Sequence, residues 1–187
     1  MGKLTAKNTA LAGLFIALGL LLPFLTGQIP SVGSRLLPMH IPVLLCGFIC
    51  GWLYGLIVGF ITPLFRSVIF GMPPMYPTAV AMAFELAAYG LVSGLMHEQL
   101  LKKKRISRNI SLYVSLIVSM ICGRVVWGVV SYILYGLRGS AFTWEMFVAG
   151  AFINATPGII IQIVLIPLII IALQKAKLIN MNNGAAL

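Results

Sequence analysis

The sequence is poor in charge, and above all in acid. Of its 187 residues only 9% are charged, and Asp and Glu together number 3. A water-soluble domain draws roughly a quarter of its residues from Asp, Glu, Lys and Arg. With 60% apolar residues and a mean hydropathy of +1.06, this chain has too little polar surface to cover itself in water. Soluble globular, disordered and fibrous architectures are thereby excluded. Three acids cannot build the carboxylate clusters of a metal-dependent lipid transferase. No G-x-x-x-x-G-K-[ST] loop occurs, so no nucleotide is bound by that means, and no cofactor or metal is expected. Cysteine is scarce as well. Cys46, Cys50 and Cys122 all lie in apolar runs, which reads as free thiols and not as a metal site. The first apolar run has no convincing A-x-A cleavage site and is expected to be retained.

What the chain has instead is apolar length. It predicts an all-α membrane protein with six transmembrane helices and a single domain over 1–187. The helices are expected at about Asn8–Leu25, Ile41–Gly51, Trp52–Phe70, Thr78–His97, Ile110–Tyr135 and Trp144–Leu173. Thr26–His40 reads as a Gly/Pro/Ser segment, Gly71–Pro77 as a turn and Gly136–Thr143 as a short link. The second and third helices are nearly continuous and short for two spans. The 13 basic residues, which would suggest nucleic acid in a soluble protein, sit mainly between the apolar runs. Lys3, Lys7, the Lys102–Arg108 run, Lys175 and Lys177 place both termini in the cytoplasm, with Arg35 and Arg138 outside. The Lys102–Arg108 run also suits anionic lipid. Trp52 and Trp144 read as interfacial belt residues, and His97 is assigned no role.

Polar side chains inside a span are costly and invite functional hypotheses. Arg66, Glu85, Arg124 and Asn154 all fall in the outer half of their helices, roughly 7 to 17 Å deep at ~1.5 Å per residue; Gln162 sits deeper. Spacing groups further residues with them. Arg124, Trp127, Gly128 and Ser131 share one helix face, as do Asn154, Gly158 and Gln162, while Thr78, Glu85 and Tyr89 lie close to one stripe. Aromatic and small apolar surface around a few polar groups suits a small-molecule pocket opening outward. Two membrane arginines against one glutamate leave a positive charge over, which a carboxylate ligand would balance in two-pronged geometry. The competing reading has Arg66 snorkelling to the surface and Glu85–Arg124 as a structural pair. His40, at the end of the first outer segment, either caps the pocket or is an interfacial polar group. Pro157 and Pro167 are expected to kink the last helix. Gly90-Leu-Val-Ser93-Gly94 faintly resembles an intramembrane serine protease motif, but no histidine falls mid-membrane to act as base.

Small residues recur at i,i+4 in Gly47, Gly51, Gly55 and Gly59, in Ala79, Ala83 and Ala87, and in Gly13 with Ala17. Such faces let helix backbones approach closely in lipid. The run Ala10-Leu11-Ala12-Gly13-Leu14-Phe15-Ile16-Ala17-Leu18, on the first of six helices in a chain of this size, is similar to the substrate-binding (S) components of energy-coupling-factor (ECF) vitamin transporters. The resemblance covers nearly the whole chain. It implies that Gly13-x-x-x-Ala17 stands where the family has an Ala-x-x-x-Ala docking motif. It further implies a membrane coupling subunit and two ATPases as partners, and a pocket built from the first outer loop and the fourth to sixth helices. Leu36-Leu37-Pro38-Met39-His40-Ile41-Pro42 and Gly71-Met72-Pro73-Pro74-Met75-Tyr76-Pro77 resemble the pantothenate-type subgroup.

The expected function is thus vitamin capture in a bacterial plasma membrane, with the first loop as lid and no catalytic residue. The expected substrate-binding residues are His40, Glu85, Tyr89, Arg124, Trp127, Asn154, Gln162 and Arg66; Gly13 and Ala17 are the docking pair. The alternatives are the same fold for pyridoxine, hydroxymethylpyrimidine or folate, and a self-sufficient ion-coupled carrier or small membrane enzyme.

Overall fold

A computed structural model describes residues 5–26, 29–102 and 106–179. Lys3 and the Lys103, Lys104 and Arg105 portion of the basic run lie outside them. The described chain is all-helical: α1 (Ala6–Leu21), α2 (Pro30–Leu36), α3 (His40–Cys50), α4 (Trp52–Phe70), α5 (Val80–Lys102), α6 (Arg108–Leu137), α7 (Trp144–Val148) and α8 (Thr156–Lys175). Five stretches are long and apolar enough to cross a membrane: Ala6–Leu25, Trp52–Phe70, Met75–Lys102, Arg108–Leu137 and Trp144–Lys175. Helix starts follow ordinary capping chemistry. The hydroxyls of Thr5, Ser107 and Thr143 accept from the backbone N–H three residues on, at 3.3, 3.4 and 3.3 Å.

Side-chain contacts fix the helix directions. The Tyr54 hydroxyl bonds Thr5 at one end of α1 and α4, while Phe24 meets Phe70 at the other, so these helices run parallel. His40 meets Glu85 and Phe48 meets His97, so α3 and α5 run parallel. Ser111 bonds His97 where α5 turns back into α6.

The helix α3 is the short member. Its 11 residues rise only about 16 Å, roughly half the hydrocarbon thickness. It runs alongside α5 from Glu85 to beyond His97, so its first residue begins more than a turn below the start of α5. That missing length leaves a void at one end of the bundle. Gly51, at φ +95°, then reverses the chain into α4.

At the other end the same helices close on glycine. A Cβ on Gly55 would lie 2.5 Å from the Gly90 carbonyl oxygen, and one on Gly94 2.5 Å from the Trp52 backbone nitrogen. Gly47 meets Ser93 and the Gly90 carbonyl in the same way, and Gly59 meets Leu86. The Gly90–Gly94 motif is therefore a packing seam, and Ser93 spends its hydroxyl on the Gly90 carbonyl at 3.2 Å.

Two sequence expectations need correcting. The Thr26–His40 segment is not irregular throughout. It holds α2, started by Pro30 in its first turn and stopped by Leu37 in the left-handed region at φ 51°. The last span, Trp144–Leu173, is not one helix. Ala149–Ile153 forms a π-turn in which the Asn154 N–H reaches the Ala149 carbonyl at 2.8 Å, and α8 starts afresh around Pro157, whose missing N–H suits a first turn. Pro167, by contrast, lies inside a helix that continues to Lys175.

Candidate functional site

The void above α3 is a cavity of about 600 Å³, within the range of small-molecule sites. Its floor and walls come from separate elements. α3 contributes His40 at its first position, α4 contributes Arg66, and α5 contributes Met82 and Glu85 after Thr78 in the preceding turn. α6 contributes Arg124 and Trp127, and the π-turn before α8 brings Gly150 and Asn154. Ile29, Gly33 and Leu37 cover it from α2 and its flanks, with Pro38 and Met39 beside them; Met72, Pro73 and Pro74 close another side.

At the floor one carboxylate organises two donors. Arg124 Nη1 donates to Glu85 Oε1 at 2.8 Å, and His40 Nε2 lies 3.3 Å from the same oxygen. All three side chains are buried, at 5, 2 and 1% exposure for Arg124, Glu85 and His40. Burial without partners would be prohibitive for either charge, so the ion pair explains their presence. It does not satisfy them fully. Arg124 Nε and Nη2 and His40 Nδ1 are buried and have no hydrogen-bond partner. Buried polar atoms left over in this way call for an explanation, and a bound polar group is one.

Arg66 occupies a different wall. It is 3% exposed, donates from Nη1 to the Leu20 carbonyl, and lies over the rings of Phe24 and Phe70, 5.1 and 5.4 Å from their centroids. It lines the cavity and does not snorkel to the surface. Trp127 is held by Phe142 and by a stacked Phe147, with Gly150 admitting its ring edge.

Six of the eight residues expected at the site thus share one cavity: His40, Arg66, Glu85, Arg124, Trp127 and Asn154. Tyr89 and Gln162 are not among its lining residues. Tyr89 is fully buried one turn beneath Glu85, edge-on to His40 at 5.1 Å and pressed against Gly123. It supports the floor from below. Gln162 is also fully buried, and neither of its amide atoms has a partner. Gln162 lies eight residues beyond Asn154, roughly 12 Å deeper along α8 at ~1.5 Å per residue, so a shared stripe does not bring it to the chamber. Of the apolar lining, Met39, Met72, Pro73 and Pro74 lie in the two runs that carry the subgroup resemblance but were not expected as site residues, and Met82 was not singled out, since nothing in its spacing separates pocket from core. Among the described residues no group of three His, Cys, Asp or Glu side chains is placed to hold a metal ion.

Gly13 and Ala17 lie on an exposed face of α1, and a Cβ on Gly13 would meet nothing within 4 Å. No segment of the described chain packs there.

Fold and site together define a polytopic helical membrane protein with a small-molecule chamber at one end of its bundle. The family model described as "ECF transporter, substrate-specific component" matches residues 7–170. The chain belongs to that family: it is a substrate-binding subunit of an ECF importer, a transporter component and not an enzyme, working with partners of the ECF module. No curated protein and no solved structure gives a significant match.

Proposed function

We propose that this S component captures pantothenate, or a closely similar carboxylate, from outside a bacterial plasma membrane. The observation that carries the reading is the charge lining the chamber: Arg66 and Arg124 against Glu85 alone, with Arg124 donors still unpartnered. An anion neutralises the excess, and the largely apolar remainder of the lining suits a short aliphatic body. Both termini are cytoplasmic in this reading, as the basic residues between the apolar runs favour. His40, Glu85, Arg124, Trp127, Asn154 and Arg66 surround the ligand, Tyr89 and Gln162 support them from deeper layers, and α2 acts as the lid. ATP hydrolysis by partner subunits drives release, and the open Gly13/Ala17 face docks on the coupling subunit.

The test is a titration of purified protein with pantothenate, pyridoxine, hydroxymethylpyrimidine and folate, alongside mass spectrometry of small molecules that co-purify. Pantothenate is expected to bind at least about tenfold tighter than the others, the effect of ~1.4 kcal/mol. A preference for either neutral ring compound overturns the anion reading.

A further inference from the structure

Resting on the reading of this chamber as an anion-capture site, we propose that the ligand's carboxylate seats on Arg66. Arg124 and His40 then read a neutral polar group at the ligand's other end. The sequence has 3 acidic residues, and each has its place. Glu98 pairs with Lys102 at 2.8 Å, Glu145 accepts from Thr143 at 3.2 Å, and Glu85 pairs with Arg124 at 2.8 Å. The charge of Arg124 is therefore compensated within the bundle. That of Arg66 is not: its partners are a backbone carbonyl and two phenyl rings, all neutral. At 3% exposure it is also closed off from lipid headgroups. A buried cation with only neutral partners is where an incoming anion gains most. An anion at Arg124 would instead stand a hydrogen bond away from the Glu85 carboxylate and be repelled by it.

The floor is suited to a neutral group. Arg124 Nε and Nη2 are buried donors without a hydrogen-bond partner, and the guanidinium charge is already balanced by Glu85. His40 meets the Glu85 carboxylate through Nε2, so in the neutral ring that nitrogen carries the proton and Nδ1 is an acceptor. Donors beside an acceptor fit a hydroxyl or an amide. The two ends are also held apart. Arg66 is on α4 and Arg124 on α6, and α5 packs between these helices. With neighbouring axes about 8–10 Å apart, the two arginines come from separate walls, and α5 between those helices lines the chamber with Met82. The ligand is therefore elongated, anionic at one end, neutral and polar at the other, and apolar between.

The experiment uses acid–neutral pairs on the purified full chain: pantothenate against pantothenol, in which the carboxylate is a primary alcohol, and nicotinate and biotin against their amides. The wild type is expected to prefer pantothenate by about 100-fold, the scale of losing one partner of a buried charge pair. Arg66→Gln is expected to abolish that preference by weakening acid binding alone. Arg66→Lys keeps most of it, and Arg124→Gln weakens acid and alcohol alike. Loss of the preference in Arg124→Gln with its retention in Arg66→Gln overturns the proposal. A wild type that prefers a different acid overturns the pantothenate assignment only, and the same substitutions then judge Arg66 on that pair. A wild type indifferent to the carboxylate overturns both. Should Arg66→Gln not fold, a structure of the wild type with bound acid decides: the carboxylate lies against Arg66, and the reverse polarity refutes the assignment.

Discussion

The α3–α4–α5 seam and the outer face of α1 carry the same kind of pattern, small residues one helical turn apart, and do opposite things with it. In the seam, Gly47, Gly55, Gly59, Gly90 and Gly94 bring backbones so close that no side chain fits. On α1, Gly13 and Ala17 face open space. Close approach in lipid needs a gap of this shape on both partners, because dispersion contact must do what the hydrophobic effect does in water. A small-residue stripe therefore says that a helix backbone can come near. Whether that helix belongs to the same chain is decided by the rest of the fold. Helix α1 even shows both cases, since Gly19 on its other side packs against Thr62 and Pro42.

Three substitutions grade this difference. Gly90→Leu should have the largest effect. It drives a side chain into the Gly55 backbone, which has nowhere to go, at a cost of several kcal/mol. The expected result is loss of monodisperse protein on size exclusion; a well-folded variant would show the seam to be looser than described. Gly19→Ala should be intermediate. Its Cβ would lie 2.5 Å from Thr62 Cγ2, and the Thr62 hydroxyl is anchored on the Val58 carbonyl at 2.6 Å, so the methyl cannot rotate away cheaply. Against about 1 kcal/mol gained in helix propensity, a net loss of about 1 kcal/mol is expected, read as a lower unfolding midpoint in detergent. Gly13→Leu should leave folding and ligand affinity unchanged to within ~0.5 kcal/mol while blocking uptake in cells supplied with the partner subunits. Undiminished uptake would place the docking surface elsewhere.

Much of the site was legible because a membrane makes polar residues conspicuous. Arg66, Glu85 and Arg124 stand out from apolar runs, and a buried guanidinium needs a reason that a buried leucine does not. Position along a helix gave their depth, and they do gather on one cavity. A shared helix face said less, because residues on one stripe can lie at different depths. Glu85 and Tyr89, one turn apart, share a face, yet Tyr89 is fully buried against His40 and Gly123 and does not line the chamber. Gln162 shows the same limit, because it shares the stripe of Asn154 but lies two turns deeper, below the chamber that Asn154 lines. The α2 helix was missed for a different reason. Seven residues rich in Gly, Ser and Pro carry little helical signal, and tertiary contact with α8, where Gly158 admits the Arg35 and Leu36 backbone, holds them in place.

His40 follows Leu37 by three residues, and Leu37 ends the segment roofing the chamber. Even fully stretched, so short a tether spans only about 11 Å. Ceiling and base are consecutive stretches of one ribbon, and the knot between them is buried at Leu37, Met39 and His40. Neither can shift far without tugging the other, so whatever disturbs the covering segment is felt at the imidazole, and through it at the only carboxylate in the room.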